Sequence, residues 1–420
     1  MTEKDHSLPI LGQEEASDPW DLPRPTPTTL LGLFDYPTAP GFDAVKPGLV
    51  AAFGDRLAFE GEPPERPFHT EWAEVLTIDG HPTPLIMWSE PITSESLQAP
   101  PFAEHARCMV AVQSMLDPND PLGSWKMMAE TLGCLSADPV ALFDLETEQW
   151  FNAEETLNRI IGADAIPEEG MLFRIHATST SQEPAEDDPV WLRTAGLQRC
   201  GRPEIEMLEV RGGMLGIAHD LVEAVGSLCI LRGAPDPGEP FDAGVNVELS
   251  LQPLAGQLEL LPEESVGTWG HRVTMGGTDE PENPFLAGRA VLCGAEPRGS
   301  VRRIHTWPED TLQRLLRGEA GLERTENWTN SIAREAQRRW PILLQGVDDG
   351  HVAEVCVGLE SDTGGREQVW VALVTCDGSG VTGRLLSTPS QVSSRIGDII
   401  EAPLSDVIDW RLMQAGGSAT

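Results

Sequence analysis

Short apolar runs and amphipathic stretches follow one another along the first part of the chain. Residues 29–36 and 106–116 are largely apolar, which predicts two buried strands. Segments 71–80 and 83–91 alternate or run apolar on either side of a turn sequence that contains Asp-Gly-His-Pro. These two segments are therefore predicted to form a pair of neighbouring strands.

Helical patterns separate these strands. Residues 120–136 have the spacing of a helix, and Asp120 is a residue type that caps a helix N-terminus. Strand and helix patterns in this order predict an α+β fold. We expect an N-terminal antiparallel sheet with helices on one face, a middle α+β region, and a small C-terminal β-barrel-like module preceded by helices.

Changes in composition divide the chain into several regions. The acidic, proline-bearing stretch 178–189 has the composition of a loop or a seam between domains. A charged, proline-rich start predicts a disordered arm. The predicted regions are an arm at 1–27, an N-terminal α+β domain at 28–177, a middle α+β domain at 190–297, and helices with a β-rich module at 298–412.

The pattern between residues 366 and 410 is the most regular in the chain. Residues 369–374 are apolar at both odd and even positions, which predicts a strand that is covered on both sides. Gly383 and Gly397 are placed where such a module would bend or turn. We interpret Trp370 and Trp410 as buried aromatic plugs of one small barrel, and this stretch as a structural layout more than a catalytic signature.

Charge limits the classes of partner. The chain has 67 acidic and 29 basic residues, a net charge of −38. So acidic a protein repels nucleic acids and anionic membrane surfaces, and its acidic face could bind a basic protein partner. The stretch 298–340 runs against this trend, with nine arginines and six acidic residues; it is interpreted as a basic segment that holds the acidic body together, or as an anion site.

Cysteine usage and the chain start indicate a compartment. The seven cysteines are isolated from one another, with no Cys-x-x-Cys spacing, which argues against a disulfide framework. The first residues lack the apolar core of a signal peptide, and we find no apolar run of the length that spans a bilayer. A cytoplasmic protein is therefore expected.

The C-terminal pattern resembles a bacterial module known only as a domain of unknown function (2314-type). The order of Glu, Trp, a hydrophobic strand, Gly-x-Leu, Pro, Gly-Asp and a final Asp-Trp carries the resemblance. The approach to Gly-Asp, Ser-Thr-Pro-Ser-Gln-Val-Ser-Ser-Arg-Ile, is more polar than is usual for the module. The matching residues are Glu367, Trp370, Gly383, Leu385, Pro389, Gly397, Asp398, Asp406, Asp409 and Trp410.

An upstream stretch is similar to a motif of larger uncharacterised bacterial proteins that end in the same module (4026-type). The similarity lies in residues 191–210, where Glu204-Ile205-Glu206 stands at the position of a Glu-Leu-Glu. Those proteins usually have histidines near the position of Thr194, and this chain has none there. The resemblance implies architecture more than activity.

The same stretch carries the best polar cluster in the chain. An arginine cluster next to glutamates can hold a carboxylate or phosphate through paired hydrogen bonds. It can also be an internal ion-pair network that pins a turn, and we favour this second interpretation because the acidic residues are adjacent. The candidate ligand-binding residues are Arg193, Thr194, Arg199, Arg202, Glu204 and Glu206.

Other chemical signatures are weak. Asp406 and Asp409 could serve acid–base chemistry or hold a cation, but a capped final turn is the simpler interpretation. The nine histidines have no metal-ligand spacing, and the glycine-rich segment around His271 lacks the rest of a phosphate-binding loop. No catalytic residue can be assigned, and we expect no cofactor and no metal.

Two functional hypotheses follow. The first is a non-catalytic, multidomain interaction protein that neutralises a protein partner such as a toxin. The second is an enzyme or small-ligand sensor that uses the arginine-rich turn at 193–202 or a pocket between domains. A convergent set of polar groups in one cleft would favour the second hypothesis.

The charge generates the first testable prediction. With a net charge of −38, the chain should bind neither labelled DNA nor labelled RNA at physiological salt. Fluorescence anisotropy titrations measure this directly. Submicromolar binding that weakens with salt would contradict the prediction and would point to the arginines of residues 298–340.

Overall fold

The computed structural model shows an α+β protein, as the sequence predicts. Its secondary structure follows the apolar patterns of the chain. The chain divides into two compact units: the first is Met1–Glu154 with Leu172–Glu323, and the second is Glu155–Met171 with Arg324–Thr420. The predicted domain boundaries stay predictions. The structure describes residues 19–36, 38–63, 70, 72–92, 99–135, 138–160, 167–179, 183–258, 286–294, 308–360, 366–387, 389 and 392–413. Most of the predicted arm and the His271 segment lie outside these residues.

The first unit contains an antiparallel sheet in the order β2-β3-β4-β5-β1-β6-β7. Helix α1 (Phe42–Phe53) contacts β2 and β3, and helix α2 (Pro121–Gly133) contacts β1 and β5. The predicted cap is confirmed, because Asp120 Oδ1 accepts a hydrogen bond from the Gly123 N–H at 2.9 Å. The strands are β1 (Thr28–Phe34), β2 (Leu57–Gly61), β3 (Trp72–Ile78), β4 (Leu85–Pro91), β5 (Cys108–Ser114), β6 (Ala141–Asp144) and β7 (Gln149–Asn152).

Strand β1 lies inside this sheet and is buried along its whole length. Its side chains Leu31 and Leu33 pack in a cluster with Trp88 and Phe143. On the other face, a Cβ added at Gly32 would stand 3.2 Å from a Leu132 methyl group of α2, so the glycine permits close helix packing. An almost wholly apolar strand sequence is the result of burial on both faces.

The first unit contains a second sheet, in the order β14-β11-β12-β13-β10-β9-β8. Strands β10 and β13 pair in parallel, and the other described pairs are antiparallel. The strands are β8 (Arg174–Ser179), β9 (Pro189–Ala195), β10 (Glu204–Arg211), β11 (Pro240–Val245), β12 (Val247–Pro253), β13 (Arg289–Gly294) and β14 (Gly321–Leu322).

Three helices accompany the second sheet: α4 (Leu215–Arg232), α5 (Leu254–Leu258) and, further along the chain, α6 (Glu309–Leu316). The segment Gly212–Arg232 has the length and hydropathy of a membrane span, which differs from the expectation that the chain has no such run; Asp220 and Glu223 lie within it. Ten residues of α4 are buried, and the helix contacts β8 to β11, as a core helix does. Length and composition alone are therefore weak evidence for a span.

The second unit contains an antiparallel sheet in the order β18-β17-β16-β15-β19. Helices α7 (Glu326–Arg338) and α8 (Trp340–Asp348) contact β19, and α8 also contacts β15. Helix α3 (Ala153–Ile160) crosses from the first unit into the second. The strands are β15 (Val352–Glu360), β16 (Arg366–Cys376), β17 (Gly380–Leu385), β18 (Ile399–Pro403) and β19 (Val407–Met413).

This third sheet must curve strongly. Strands β18 and β19 stand at opposite edges, yet only the three-residue 3₁₀ turn Leu404–Asp406 joins them. In a flat sheet the edges would be roughly 19 Å apart, four strand spacings of about 4.8 Å. The link from Pro403 to Val407 reaches at most about 15 Å. The sheet therefore curls towards a barrel, which is the C-terminal module that the sequence predicts.

The two faces of the third sheet differ. Inside the curve, Val355, Val357, Val369 and Val371 are buried in one cluster with Trp340. The opposite face, named here the outer face, carries Val352, Glu354, Trp370 and Ala372, and the exposed Val374 follows at the same end of β16. In β16 the inner positions Val369 and Val371 are buried, whereas the outer positions Trp370 and Ala372 are only partly buried, so the predicted cover on both sides is complete on the inner side alone.

The two tryptophans of the predicted barrel have different roles. Trp370 lies on the outer face, half-buried, with the guanidinium of Arg411 at 4.6 Å from its ring centroid. The prediction that it is a buried plug is therefore wrong. Trp410 packs against the inner core and donates its indole N–H to the Ala336 carbonyl of α7 at 2.9 Å. A strand with apolar residues on both faces does not reveal which face is covered.

A segment from earlier in the chain completes the second unit. The fully buried Glu169 accepts hydrogen bonds from Thr325 at 2.6 Å and from Asn327 at 2.8 Å. Thr325 also caps α7 by accepting the Trp328 N–H at 3.1 Å. A fragment that begins near residue 325 would lack Glu169, so stability has to be measured on the full chain.

The fold generates a prediction about two tryptophans of the second unit. Trp340 is 2% exposed and donates to the Asp377 carbonyl, so Trp340→Ala should lower the free energy of unfolding by about 3–5 kcal/mol. Trp370→Ala should cost about 1–2 kcal/mol, since its ring is half-buried. Chemical denaturation of the full chain measures both, and an equal loss for the two variants would contradict the assignment of the faces.

Candidate functional site

The arginine-rich turn lies between β9 and β10 of the second sheet. A 3₁₀ turn at Gln198–Cys200 is followed by Gly201 in the left-handed conformation, with φ of 69°. A Cβ at Gly201 would stand 2.9 Å from a carbon of Pro118. Glycine therefore provides both the turn geometry and the close approach to the loop before α2.

Arg199 of this turn is directed into the first unit. Its guanidinium donates to both carboxylate oxygens of Asp144, each at 2.8 Å, and to the Leu172 carbonyl at 2.9 Å. Glu146 lies 3.6 Å away as a second ionic partner. The side chain of Arg199 is 1% exposed. Because Asp144 is in β6, this ion pair joins the two sheets of the first unit.

Other groups around the pair add to its hydrogen bonding, although the buried Nε of Arg199 has no partner among the described residues. Asp144 also accepts the indole N–H of Trp125 at 3.1 Å. Burial by itself would lower the pKa of Arg199, but the Asp144 charge and hydrogen bonds raise it above its ordinary value. Burial raises the pKa of Glu146, and a hydrogen bond from the Thr29 N–H opposes that rise. Such a cluster keeps Arg199 charged and engaged internally.

Arg202 contacts backbone carbonyls. Its Nε donates to Cys229 at 2.7 Å, and its two terminal nitrogens donate to Gly201 and Pro118, each at 3.0 Å. The three carbonyls belong to α4, the turn itself and the loop before α2. Arg202 therefore fastens the turn to its neighbours.

Thr194 and Glu204 hold the ends of the turn together. Thr194 donates its hydroxyl to Glu204 at 2.7 Å and accepts the Ile205 N–H at 2.7 Å. The other carboxylate oxygen of Glu204 accepts the N–H groups of Gly196 at 2.8 Å and Gln198 at 3.2 Å. These contacts use the hydrogen-bonding capacity of both side chains within the fold.

Glu206 is fully buried in β10. It accepts the Trp191 indole N–H at 2.5 Å and a hydrogen bond from Arg289 of β13 at 2.6 Å. Burial raises the pKa of Glu206, while the charge and hydrogen bond of Arg289 oppose this rise. The sequence did not indicate Arg289 as its partner, because Arg289 is distant in the chain and reaches Glu206 only through strand pairing.

Arg193 differs from the other predicted residues. In the strand ladders it stands directly between His176 of β8 and Glu206 of β10. Its Nε is buried without a hydrogen-bond partner, and within the described residues no ion pair reaches its guanidinium. The pKa of His176 lies below its ordinary value because of burial and the charges of Arg193 and Arg174. Sequence reasoning found Arg193 but missed the residues of the neighbouring strand.

The residues of the C-terminal motif occupy structural positions in the second unit. Leu385 and Pro389 are buried, and a Cβ at Gly383 would stand 2.5 Å from Val371. Gly397 has φ of 90°, and Asp398 accepts the Arg395 N–H at 2.8 Å in the same turn. Glu367 of β16 pairs with Leu359 of β15.

The last carboxylates of the motif have separate partners. Asp406 forms an ion pair with Arg366 at 2.7 Å. Asp409 is exposed and accepts the backbone N–H of Trp410 at 2.7 Å. These contacts support the structural interpretation of the motif.

Thiols and metal ligands give no further site in the part of the chain that is described. Burial raises the pKa of Cys200, Cys229, Cys293 and Cys356 to about 12, so their reactive thiolate forms are scarce at neutral pH. No group of three or more His, Cys, Asp or Glu side chains in that part could hold a metal ion. The expected lack of a metal stays a prediction.

Comparison with known proteins identifies one matching family. Residues 175–283 match the family described as "Protein of unknown function (DUF4026) C-terminal". This region includes β8 to β12, and with them the arginine-rich turn. It agrees with the upstream resemblance found in the sequence. Comparisons with curated proteins and with solved structures gave no significant match.

The buried ion pair generates a prediction. Arg199→Met leaves the Asp144 carboxylate buried without its main partner, so it should lower the free energy of unfolding by about 3–5 kcal/mol. The control is Arg211→Met, which removes an exposed ion pair with Glu309 and should cost at most about 1 kcal/mol. Chemical denaturation compares the two variants. A similar small loss in both would show that the Arg199 pair does not stabilise the first unit.

Proposed function

We propose that this protein is a non-catalytic, cytoplasmic interaction protein that binds a protein partner through the outer face of its third sheet. The supporting observation is a group of apolar side chains that this face leaves in solvent. Val352 is 48% exposed and Val374 is 56% exposed. Clustered exposed apolar side chains on a sheet are typical of interaction surfaces.

Strand register brings these side chains together. Glu354 pairs with Ala372 at the end of the β15–β16 register, and Val352 and Val374 each lie two positions further along their strands. The strand β16 has an irregularity between Leu373 and Thr375, and both valines stand at the same end of the strand pair. Val352 also pairs with Met413 of β19. The face thus has an apolar end that spans three strands, and this is the area we propose for docking.

The rest of the outer face is mixed in polarity. Arg411 forms an ion pair with Glu354 and covers the ring of Trp370. Beyond Ala372, Arg384 pairs with Ile399, which is 50% exposed. Apolar centres with charged residues around them are common in transient interfaces. The net charge of −38 favours a basic protein partner, and a basic toxin is one example of such a partner.

The contacts of the arginine-rich turn support the same proposal, because they argue against a catalytic site there. Thr194, Arg199, Arg202, Glu204 and Glu206 all make internal contacts, so they are poorly placed to receive a substrate. Burial raises the pKa of Cys200 and Cys229 to about 12, so these thiols are poor nucleophiles. An interaction role fits these observations better than catalysis.

The test compares proteins captured by matched variants of the full chain. Val352→Glu with Val374→Glu places two charges on the outer face and should reduce recovery of the specific partner at least tenfold. Leu316→Glu is the control, because Leu316 is 57% exposed and belongs to α6 of the first unit, whereas the outer face belongs to the second unit. Quantitative mass spectrometry of proteins captured from the native cells measures the recovery.

Two outcomes would contradict the proposal. In one, no captured protein depends on Val352 and Val374. In the other, the Leu316→Glu control loses the same protein to the same extent, which shows non-specific adhesion to apolar surface. Circular dichroism of each variant verifies that it is folded.

A further inference from the structure

Arg193 has an unusual position for a charged side chain. It is partly buried in the middle of β9, and its Nε is inaccessible to solvent without a hydrogen-bond partner. The other predicted arginines, Arg199 and Arg202, each make at least three internal contacts. The charge of Arg193 acts on Glu206 in the neighbouring strand, but its buried Nε–H has no acceptor. Such an unsatisfied donor is costly, and an anionic ligand would offset that cost.

The neighbours of Arg193 define one continuous polar row across four strands. His176 pairs with Arg193, Arg193 pairs with Glu206, and Arg289 bonds to Glu206 from β13. Paired residues in a sheet project from the same face, so these side chains share one face. Leu192 and Met207, which pair with each other, project from the opposite face. Arg174, two residues before His176, lies on the same face as the row.

The charges along the row are unevenly paired. Arg289 and the Trp191 indole N–H satisfy the Glu206 carboxylate, at 2.6 Å and 2.5 Å. No salt bridge of 4.0 Å or less joins Arg193 to Glu206. Arg193 lowers the pKa of Glu206 through its charge but forms no ion pair with it. Among the described residues its guanidinium N–H groups can therefore still donate to a further acceptor next to His176.

The charges of Arg193 and Arg174 also act on the His176 imidazole. Its pKa is lowered by burial first, and then by the charges of Arg193 and Arg174; Glu148 and Glu204 act in the opposite direction. The imidazole is thus held neutral near neutral pH, and a neutral imidazole can donate one hydrogen bond to an oxyanion.

We propose that Arg193, His176 and Arg174 form a binding site for a small oxyanion on this face of the second sheet. The ligand class is a phosphoryl or carboxylate group, because a guanidinium fork matches two oxygens of either one. Arg193 supplies the paired hydrogen bonds, His176 supplies a neutral donor, and Arg174 adds positive charge. This site is independent of the docking surface on the third sheet.

The site couples anion binding to the protonation of His176. A bound anion opposes the field of Arg193 and Arg174, so it should raise the pKa of His176 by roughly one unit. By linkage, the anion should bind more tightly as pH falls through the pKa of His176. A purely structural Arg193 would produce neither effect.

Nuclear magnetic resonance of the histidine rings in the full chain tests this coupling. Signals are assigned with a His176→Gln variant, and the pKa of His176 is measured with inorganic phosphate, with acetate and with chloride at matched ionic strength. A rise with phosphate alone identifies a phosphoryl site, and a rise with acetate as well identifies a general oxyanion site. No rise with either anion relative to chloride overturns the proposal.

Matched variants give a second measurement. Arg193→Gln should reduce the affinity for the anion at least tenfold, and Arg193→Lys should keep part of that affinity. Arg211→Gln, in the same sheet, should leave the affinity unchanged. Without ligand, Arg193→Gln should melt close to the wild-type temperature, because within the described residues it removes no hydrogen bond or ion pair and loses only the charge that acts on Glu206. Wild-type anion affinity in Arg193→Gln would refute the proposal. If this variant fails to fold, Arg193 has an internal structural role, and that result also counts against the site.

Discussion

The first unit depends on a charged pair placed where its two sheets meet. Arg199 from the turn between β9 and β10 holds both oxygens of Asp144 in β6, and neither side chain is accessible to solvent. Two charges buried away from water are tolerated only when each has well-placed partners. Here the 3₁₀ turn and Gly201 position Arg199, and the indole of Trp125 donates to Asp144. The pair therefore ties the turn between β9 and β10 to strand β6, and the other polar contacts of the turn hold Arg199 in place for this pairing.

This constraint separates the arginines of the turn into two kinds. Arg199 and Arg202 are used by the fold, which agrees with the interpretation of the cluster as an internal network. Arg193 sits only six residues before Arg199, but it is on a strand and not on the turn, so its partners are determined by the neighbouring strands. The same local composition thus yields one ion pair that stabilises the unit and one guanidinium that is left for a ligand.

The second unit is governed by a different constraint, the short link between its edge strands. Because Leu404–Asp406 must join opposite edges, the sheet curves, and curvature creates an inner face that is packed and an outer face that is not. The inner face takes the valines of β15 and β16 together with Trp340. The outer face keeps Val352 and Trp370, with the exposed Val374 at the same end of the sheet, and the proposed docking surface is a direct result of this asymmetry.

The sequence by itself determined the α+β class, the cap at Asp120 and the barrel-like curvature, because periodicity, capping and turn chemistry act between residues that are close in the chain. It also found the polar cluster at 193–206. It did not determine that Trp370 faces outward, since β16 is apolar at both odd and even positions and only tertiary packing selects the buried face. It did not reveal Asp144, Arg289 or His176, because strand pairing and sheet contacts bring them to the cluster across long sequence separations. Which charges are satisfied, and which are left for a ligand, was decided by those contacts alone.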